Sequence, residues 1–120
     1  MGGLVRGVWS TGLGELLVNK GDFAPAHALL KEGYDIRRAG LPDGHWQTAI
    51  SAGALGTCLT RMRRFEEAEP LLLGSHDNLQ TTFGTQHGNN TRAREGLIDL
   101  YEAWVKPDKA QQFEPGPATP

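Results

Sequence analysis

The chain repeats itself every 42 residues, and no other property restricts its fold as strongly. Phe23 and Phe65 stand 42 positions apart, as do Ala26 and Ala68, Leu29 and Leu71, and Leu30 and Leu72. The register extends on both sides of these pairs. Leu13, Leu55 and Leu97 share one phase, Leu16, Cys58 and Leu100 another, Leu17, Leu59 and Tyr101 a third, and Ala110 falls in with Ala26 and Ala68. A fixed period of this length marks stacked supersecondary units, each too small to bury its apolar face alone.

Each unit divides into two helices. The first carries Leu13, Gly14 and Leu17; the second opens at Phe23 or Phe65, with alanine and then paired leucines at helical spacing. The alanine phase, with Gly14 and Gly56, allows close helix approach, at about 1 kcal/mol of helix propensity per glycine. In RRFEEAEPLLL, residues 63–73, arginines close one helix and Glu66, Glu67 and Glu69 open the next. Both signs suit the helix dipole, at about 0.3–1 kcal/mol per well-placed charge. Asp22 is the expected N-cap of the first unit, and Pro70 should bend its helix slightly. The connectors GLPDGHWQT (40–48) and FGTQHGNNT (83–91) carry the breakers that separate units.

The expected architecture is therefore all-α, over units of about 7–45, 49–87 and 91–114, with 115–120 a disordered Pro/Gly tail. Leu13, Leu17, Ala26, Leu30, Leu55, Leu59, Ala68, Leu72, Leu97 and Tyr101 should share one core. The last helix should start near Pro107 and stop by Glu114, a span of roughly 12 Å. Leu4, Val5, Val8 and Trp9 have no preceding helix to cover them, so apolar ends and self-association are expected.

Composition narrows the function. A net charge of −2 over 120 residues gives no broad basic footprint for nucleic acid. No run approaches the roughly 18 apolar residues of a membrane span. The start, MGGLVRGVW, lacks the apolar core of a signal peptide, so a cytoplasmic location is expected. The single cysteine excludes an internal disulfide, and at the phase of Leu16 and Leu100 Cys58 is a buried hydrophobe rather than a nucleophile.

Other chemistry-bearing residues have plainer readings. His76–Asp77 resembles the adjacent pair of metal phosphohydrolases, but adjacent helical residues diverge by about 100°, so two polar residues on the surface of the second helix are expected instead. His45 and His87 occupy matching connectors, where local turn hydrogen bonds are expected rather than a shared metal. TGLGELL (11–17) lacks the preceding strand and third glycine of a dinucleotide loop. NNT (89–91) is a helix start, and Trp9, Trp46 and Trp104 share no phase and should pack in the core or at its edge. No enzyme, cofactor or metal is expected.

The 42-residue helix–turn–helix unit, with GDFAPAHALL, RRFEEAEPLLL and histidine-bearing connectors, resembles the tetratricopeptide repeat of the kinesin-light-chain type. Over about residues 10–114 the chain looks most like the carboxyl-terminal repeat arrays of bacterial serine/threonine protein kinases. That resemblance implies a right-handed superhelix, or solenoid, whose first helices line a concave, partner-binding side. Members of the family commonly carry an asparagine pair that grips peptide; here those positions read Thr11–Gly12, Gly53–Ala54 and Glu95–Gly96. No kinase motif is present in the chain.

On the concave side the candidate partner-binding residues are Glu15, Asn19, Thr57, Thr60, Arg61, Glu95, Asp99 and Glu102, beside Thr11, Val18, Gly53 and Ala103. Glu95, Asp99 and Glu102 follow i, i+4, i+7 spacing and form one acidic stripe, suited to a basic protein or peptide. The expected function is a protein-interaction scaffold or regulatory module, such as a segment of a larger signalling protein. The rival expectation is a helical array that senses a small molecule in a pocket between repeats.

Overall fold

The apolar period is helical throughout, and the computed structural model, which describes residues 2–84 and 88–113 with side chains from residue 6, follows it. Among these residues six helices follow in order: α1 Gly2–Lys20, α2 Phe23–Gly40, α3 Trp46–Arg61, α4 Phe65–Phe83, α5 Gly88–Ala103 and α6 Pro107–Gln111. Among the described residues there is no strand, and no helix is long and apolar enough to cross a membrane.

The turns repeat as faithfully as the core. Gly21 (φ +85°), Arg63 (φ +62°) and Val105 (φ +59°) hold left-handed backbone at the same phase of the three units. The next amide, of Asp22, Arg64 or Lys106, donates to the carbonyl of Leu17, Leu59 or Tyr101 at 2.9, 2.8 and 2.7 Å. This is the Schellman closure, which satisfies carbonyls that a helix end leaves open. Asp22 stands at the N-cap position, but its side chain makes no capping bond. Across the next turn Arg64 clamps Glu67 in two-pronged fashion, Nε to Oε2 at 2.6 Å and Nη2 to Oε1 at 2.8 Å. The charged stretch is thus a local ion pair at a helix start.

Packing runs between neighbours. α1, α3 and α5 lie side by side as one layer, termed inner, α2 and α4 form a second layer against it, termed outer, and α6 leans on α5. The glycines in the inner layer set the layer spacing. A Cβ on Gly14 would stand 2.6 Å from Leu30 Cγ, and one on Gly56 would stand 2.7 Å from Leu72 Cγ. Each would also lie 3.4 Å from the carbonyl of the matching alanine, Ala26 or Ala68. Two units 42 residues apart therefore make the same contact, atom for atom. Leu30, Leu55, Cys58, Leu59, Leu72, Leu97, Leu100 and Tyr101 are buried together with Ala26, Ala68 and Ala110.

Two expected core positions differ. Leu13 is 42 % exposed and Leu17 is only half-buried. Later units meet the outer helix of the unit before: Tyr101, the counterpart of Leu17, donates to Glu69 on α4 at 2.7 Å, and Cys58, the counterpart of Leu16, has its Sγ 3.7 Å from the Phe23 carbonyl oxygen. Among the described residues no outer helix precedes α1, so Val8, Trp9, Leu13 and Leu16 stay uncovered. Trp9 is 71 % exposed and does not join the core. Trp46 meets Phe83 edge-on at 5.4 Å, and Trp104 stacks on Phe65 at 5.7 Å, both as expected. α6 is shorter than the sequence suggested, ending at Gln111, and is seated by buried Ala110. The side chains of Leu4 and Val5, as well as His87, Glu114 and the tail, lie outside the described residues.

Candidate functional site

The two joints between units have the same backbone plan and opposite fillings. At the first joint Arg37, on α2, is 7 % exposed and donates through Nη1 to the Gln47 carbonyl (3.0 Å) and to Ser51 Oγ (2.8 Å). Thr11 Oγ1 lies 3.2 Å from Ser51 Oγ and donates to the Gly7 carbonyl at 2.8 Å. Burial pulls the Arg37 guanidinium below its usual range, while the Glu15 carboxylate opposes that shift. A buried charge needs hydrogen-bond partners, and Nη1 of Arg37 has two of them. The joint is filled by the chain's own guanidinium.

Forty-two residues on, Arg37 becomes Leu79, Ser51 becomes Ala93, Thr11 becomes Gly53 and Gly33 becomes Ser75. Leucine does not fill what arginine fills, and a cavity of about 140 Å³ opens between α1, α3, α4 and α5. Its floor is Ile50, Ala54, Leu72, Leu79 and Ala93, and its rim includes Glu15, Asn19, Thr57 and Arg92. Arg92 Nη2 and Glu15 Oε2 pair at 3.0 Å across the mouth. Ser75 also lines the cavity; it is 1 % exposed, and its Oγ has no hydrogen-bond partner. Gly53 makes room for that hydroxyl, since a Cβ there would stand 2.8 Å from it. A buried hydroxyl without a partner costs about 1–3 kcal/mol, so its presence beside a cavity is notable.

From the cavity mouth the exposed carboxylates Glu95, Asp99 and Glu102 continue along α5. Burial raises the Asp99 pKa, and Glu102 and Glu95 raise it further, with Arg61 pulling the other way. The stripe expected from spacing is therefore one coupled row of like charge.

Of the other expected site residues, Glu15, Asn19 and Thr57 border the cavity. Arg61 is exposed and sits over the Phe23 ring at 5.5 Å. Thr60 is buried, its Oγ1 turned back to the Gly56 carbonyl at 2.9 Å, so its hydroxyl is not offered at the surface. Thr11 and Val18 are likewise buried, Thr11 in the first joint and Val18 in the cavity wall itself. Ser75, Leu79, Arg92 and Ala93 were not anticipated. The signal that could have found them is the 42-residue register itself, which sets Leu79 against Arg37.

Elsewhere the chemistry is quiet. His45 Nδ1 accepts from the Gln47 amide at 3.0 Å, the turn bond expected of it. His76 lies edge-on to Phe113 at 5.4 Å, with its Nδ1 3.8 Å from Asp77. The Cys58 thiol is pushed up by burial, which suppresses the reactive thiolate. Among the described residues no three His, Cys, Asp or Glu side chains gather as a metal site. A wider hollow of about 500 Å³, lined by Tyr34, Asp35, Arg38, Pro42, Asp43 and Thr48, lies at the α2–α3 connector, away from the acidic row. No protein-family model matches the chain, and no curated protein matches it significantly.

Proposed function

We propose that the chain is a peptide-binding module: a right-handed superhelical array of tetratricopeptide type whose inner layer receives an extended basic segment of a partner protein. A cytoplasmic scaffold or regulatory role, within a signalling protein, belongs to the same proposal. The supporting observation is the coincidence, on one inner face, of the 140 Å³ cavity and the acidic row Glu95–Asp99–Glu102. The repeated turns and the repeated Gly14–Leu30 and Gly56–Leu72 contacts support the array reading. Sensing of a small molecule in this cavity is the weaker alternative on size, because drug-sized ligands occupy about 300–1,000 Å³. The hollow of about 500 Å³ lies in that range but is separate from the acidic row. A cavity of 140 Å³ suits one side chain.

The test is binding of labelled Lys/Arg-containing peptides by fluorescence anisotropy, with the wild-type chain and with Glu95, Asp99 and Glu102 all changed to Lys. Affinity should fall with salt, because exposed charges are screened over about 8 Å at physiological ionic strength. It should be lost in the reversed variant. Equal binding by both chains would refute the proposal.

A further inference from the structure

We infer that the cavity at the second joint is a receptor for a single guanidinium-tipped side chain, an arginine supplied by the partner. The inference rests on the peptide-binding proposal above and adds the chemistry of the residue that anchors it.

The first joint is the precedent. There a guanidinium enters between the layers, gives one N–H to a serine hydroxyl and another to a carbonyl at the start of α3. At the second joint the backbone plan is the same and the arginine is missing, with Ala93 and Gly53 in the places of Ser51 and Thr11. The slot of Arg37 holds the shorter, uncharged Leu79, and the place of Gln47 is taken by Asn89, which lines the cavity. A serine hydroxyl is again present, now carried by α4: Ser75 Oγ is buried and unpartnered. Glu15 serves both joints. Its charge acts on Arg37 in the first, and it stands on the rim of the second, paired with Arg92.

Size and chemistry agree with this occupant. An engineered cavity of about 150 Å³ holds a benzene-sized group, so 140 Å³ admits a planar guanidinium and the end of its stem. The floor of Ile50, Ala54, Leu72 and Leu79 accepts the methylenes, which long cationic side chains bury readily. The fork of N–H donors then finds Ser75 Oγ and, at the mouth, the Glu15 carboxylate. An ammonium is a strongly hydrated point charge and fits a narrow, mostly apolar slot less well. Arg92 is the competitor for Glu15, and its exposed side chain is free to give way.

The probes are N-acetyl-arginine amide, N-acetyl-lysine amide and N-acetyl-leucine amide, titrated into the isotope-labelled full chain with backbone amide shifts as readout. The arginine derivative should saturate in the millimolar range, with shifts centred on Gly53, Ser75, Leu79 and Ala93. The lysine and leucine derivatives should bind at least tenfold more weakly. Ser75→Ala should weaken arginine binding several-fold while raising the melting temperature, since it removes an unpartnered buried hydroxyl. Opposite signs for binding and stability separate a lost contact from a damaged fold. Arg92→Ala, which frees Glu15, should tighten arginine binding several-fold. Ala54→Leu, which fills the floor, should abolish it. Equal binding of the leucine derivative, shifts centred elsewhere, or indifference to both Ser75→Ala and Ala54→Leu would overturn the inference. If basic peptides still depend on Glu95, Asp99 and Glu102 in that case, the groove stands and only the arginine anchor falls.

Discussion

Replacing Gly56 by alanine isolates the layer spacing in a single measurement. The new Cβ would stand 2.7 Å from Leu72 Cγ, 3.0 Å from Leu72 Cδ2 and 3.4 Å from the Ala68 carbonyl oxygen. Carbon atoms prefer about 3.5–4.0 Å, so Leu72 must retreat by most of an ångström. Leu72 is 1 % exposed and packed in the core, and the space beside it is the small cavity at the second joint, which can take up only part of that retreat. Overpacking of this kind costs about 1–3 kcal/mol, partly offset by about 1 kcal/mol of helix propensity gained over glycine. Gly74, exposed on α4 with no atom within 4 Å of a built Cβ, gains the propensity and meets nothing. The two variants should therefore differ in stability by about 1–3 kcal/mol, Gly74→Ala being the more stable. At about 4 °C per kcal/mol their melting temperatures should separate by about 4–12 °C. Urea unfolding should give the same ordering with unchanged m-values. Gly14→Ala, with Leu30 Cγ at 2.6 Å, should behave like Gly56→Ala. A Gly56→Ala chain that melts at or above Gly74→Ala would refute the close-packed interface.

Val105→Gly should stabilise the chain by about 0.5–1 kcal/mol in urea unfolding, because a β-branched residue in left-handed backbone costs about 1–2 kcal/mol, part of which glycine's unfolded entropy takes back. Arg63→Gly should gain less, since Arg63 also lies over the Phe65 ring at 5.1 Å. Glu69 should contribute to acid lability: the Tyr101 hydroxyl at 2.7 Å, with Lys109 beside it, holds its carboxyl below the usual range. A depressed carboxylate gives its stability above the unfolded value of about 4.3 and loses it as pH falls through the folded one, so Tyr101→Phe should flatten the acid limb of a stability–pH curve. Asp99 carries the opposite sign, because its folded pKa is raised and ionisation costs stability at neutral pH. Asp99→Asn should raise the melting temperature at pH 7, and the gain should vanish as the pH drops through the Asp99 value.

The period made the core legible because buried leucines and alanines recur with it, and the left-handed turn residues share its phase although one is an arginine and one a valine. Burial of Thr11 and Thr60 was not legible. Hydropathy marks threonine as polar, yet Thr11, Thr57 and Thr60 each return their hydroxyl to a glycine carbonyl four residues back, which satisfies it inside a helix. The exposure of Leu13 was missed for a different reason: a phase shared with Leu55 and Leu97 predicts the same surroundings, and the first unit does not have them. Of the candidate site, the acidic row followed from spacing along one helix. The cavity did not, because it depends on four helices meeting and on how far one side chain reaches between layers.

The central helix has a consequence for how the molecule opens. α3 packs against α1, α2, α4 and α5, whereas α1 and α5 do not pack directly and meet through side chains such as the exposed Glu15–Arg92 pair. Fluctuations that free α1 or the α5–α6 end can therefore occur one at a time, but any opening that releases α3 dismantles both joints together. Amide exchange should be slowest in α3, at protections that approach the global unfolding free energy, and should quicken outward in both directions. In a stack of this kind the two ends report on each other chiefly through the helix between them.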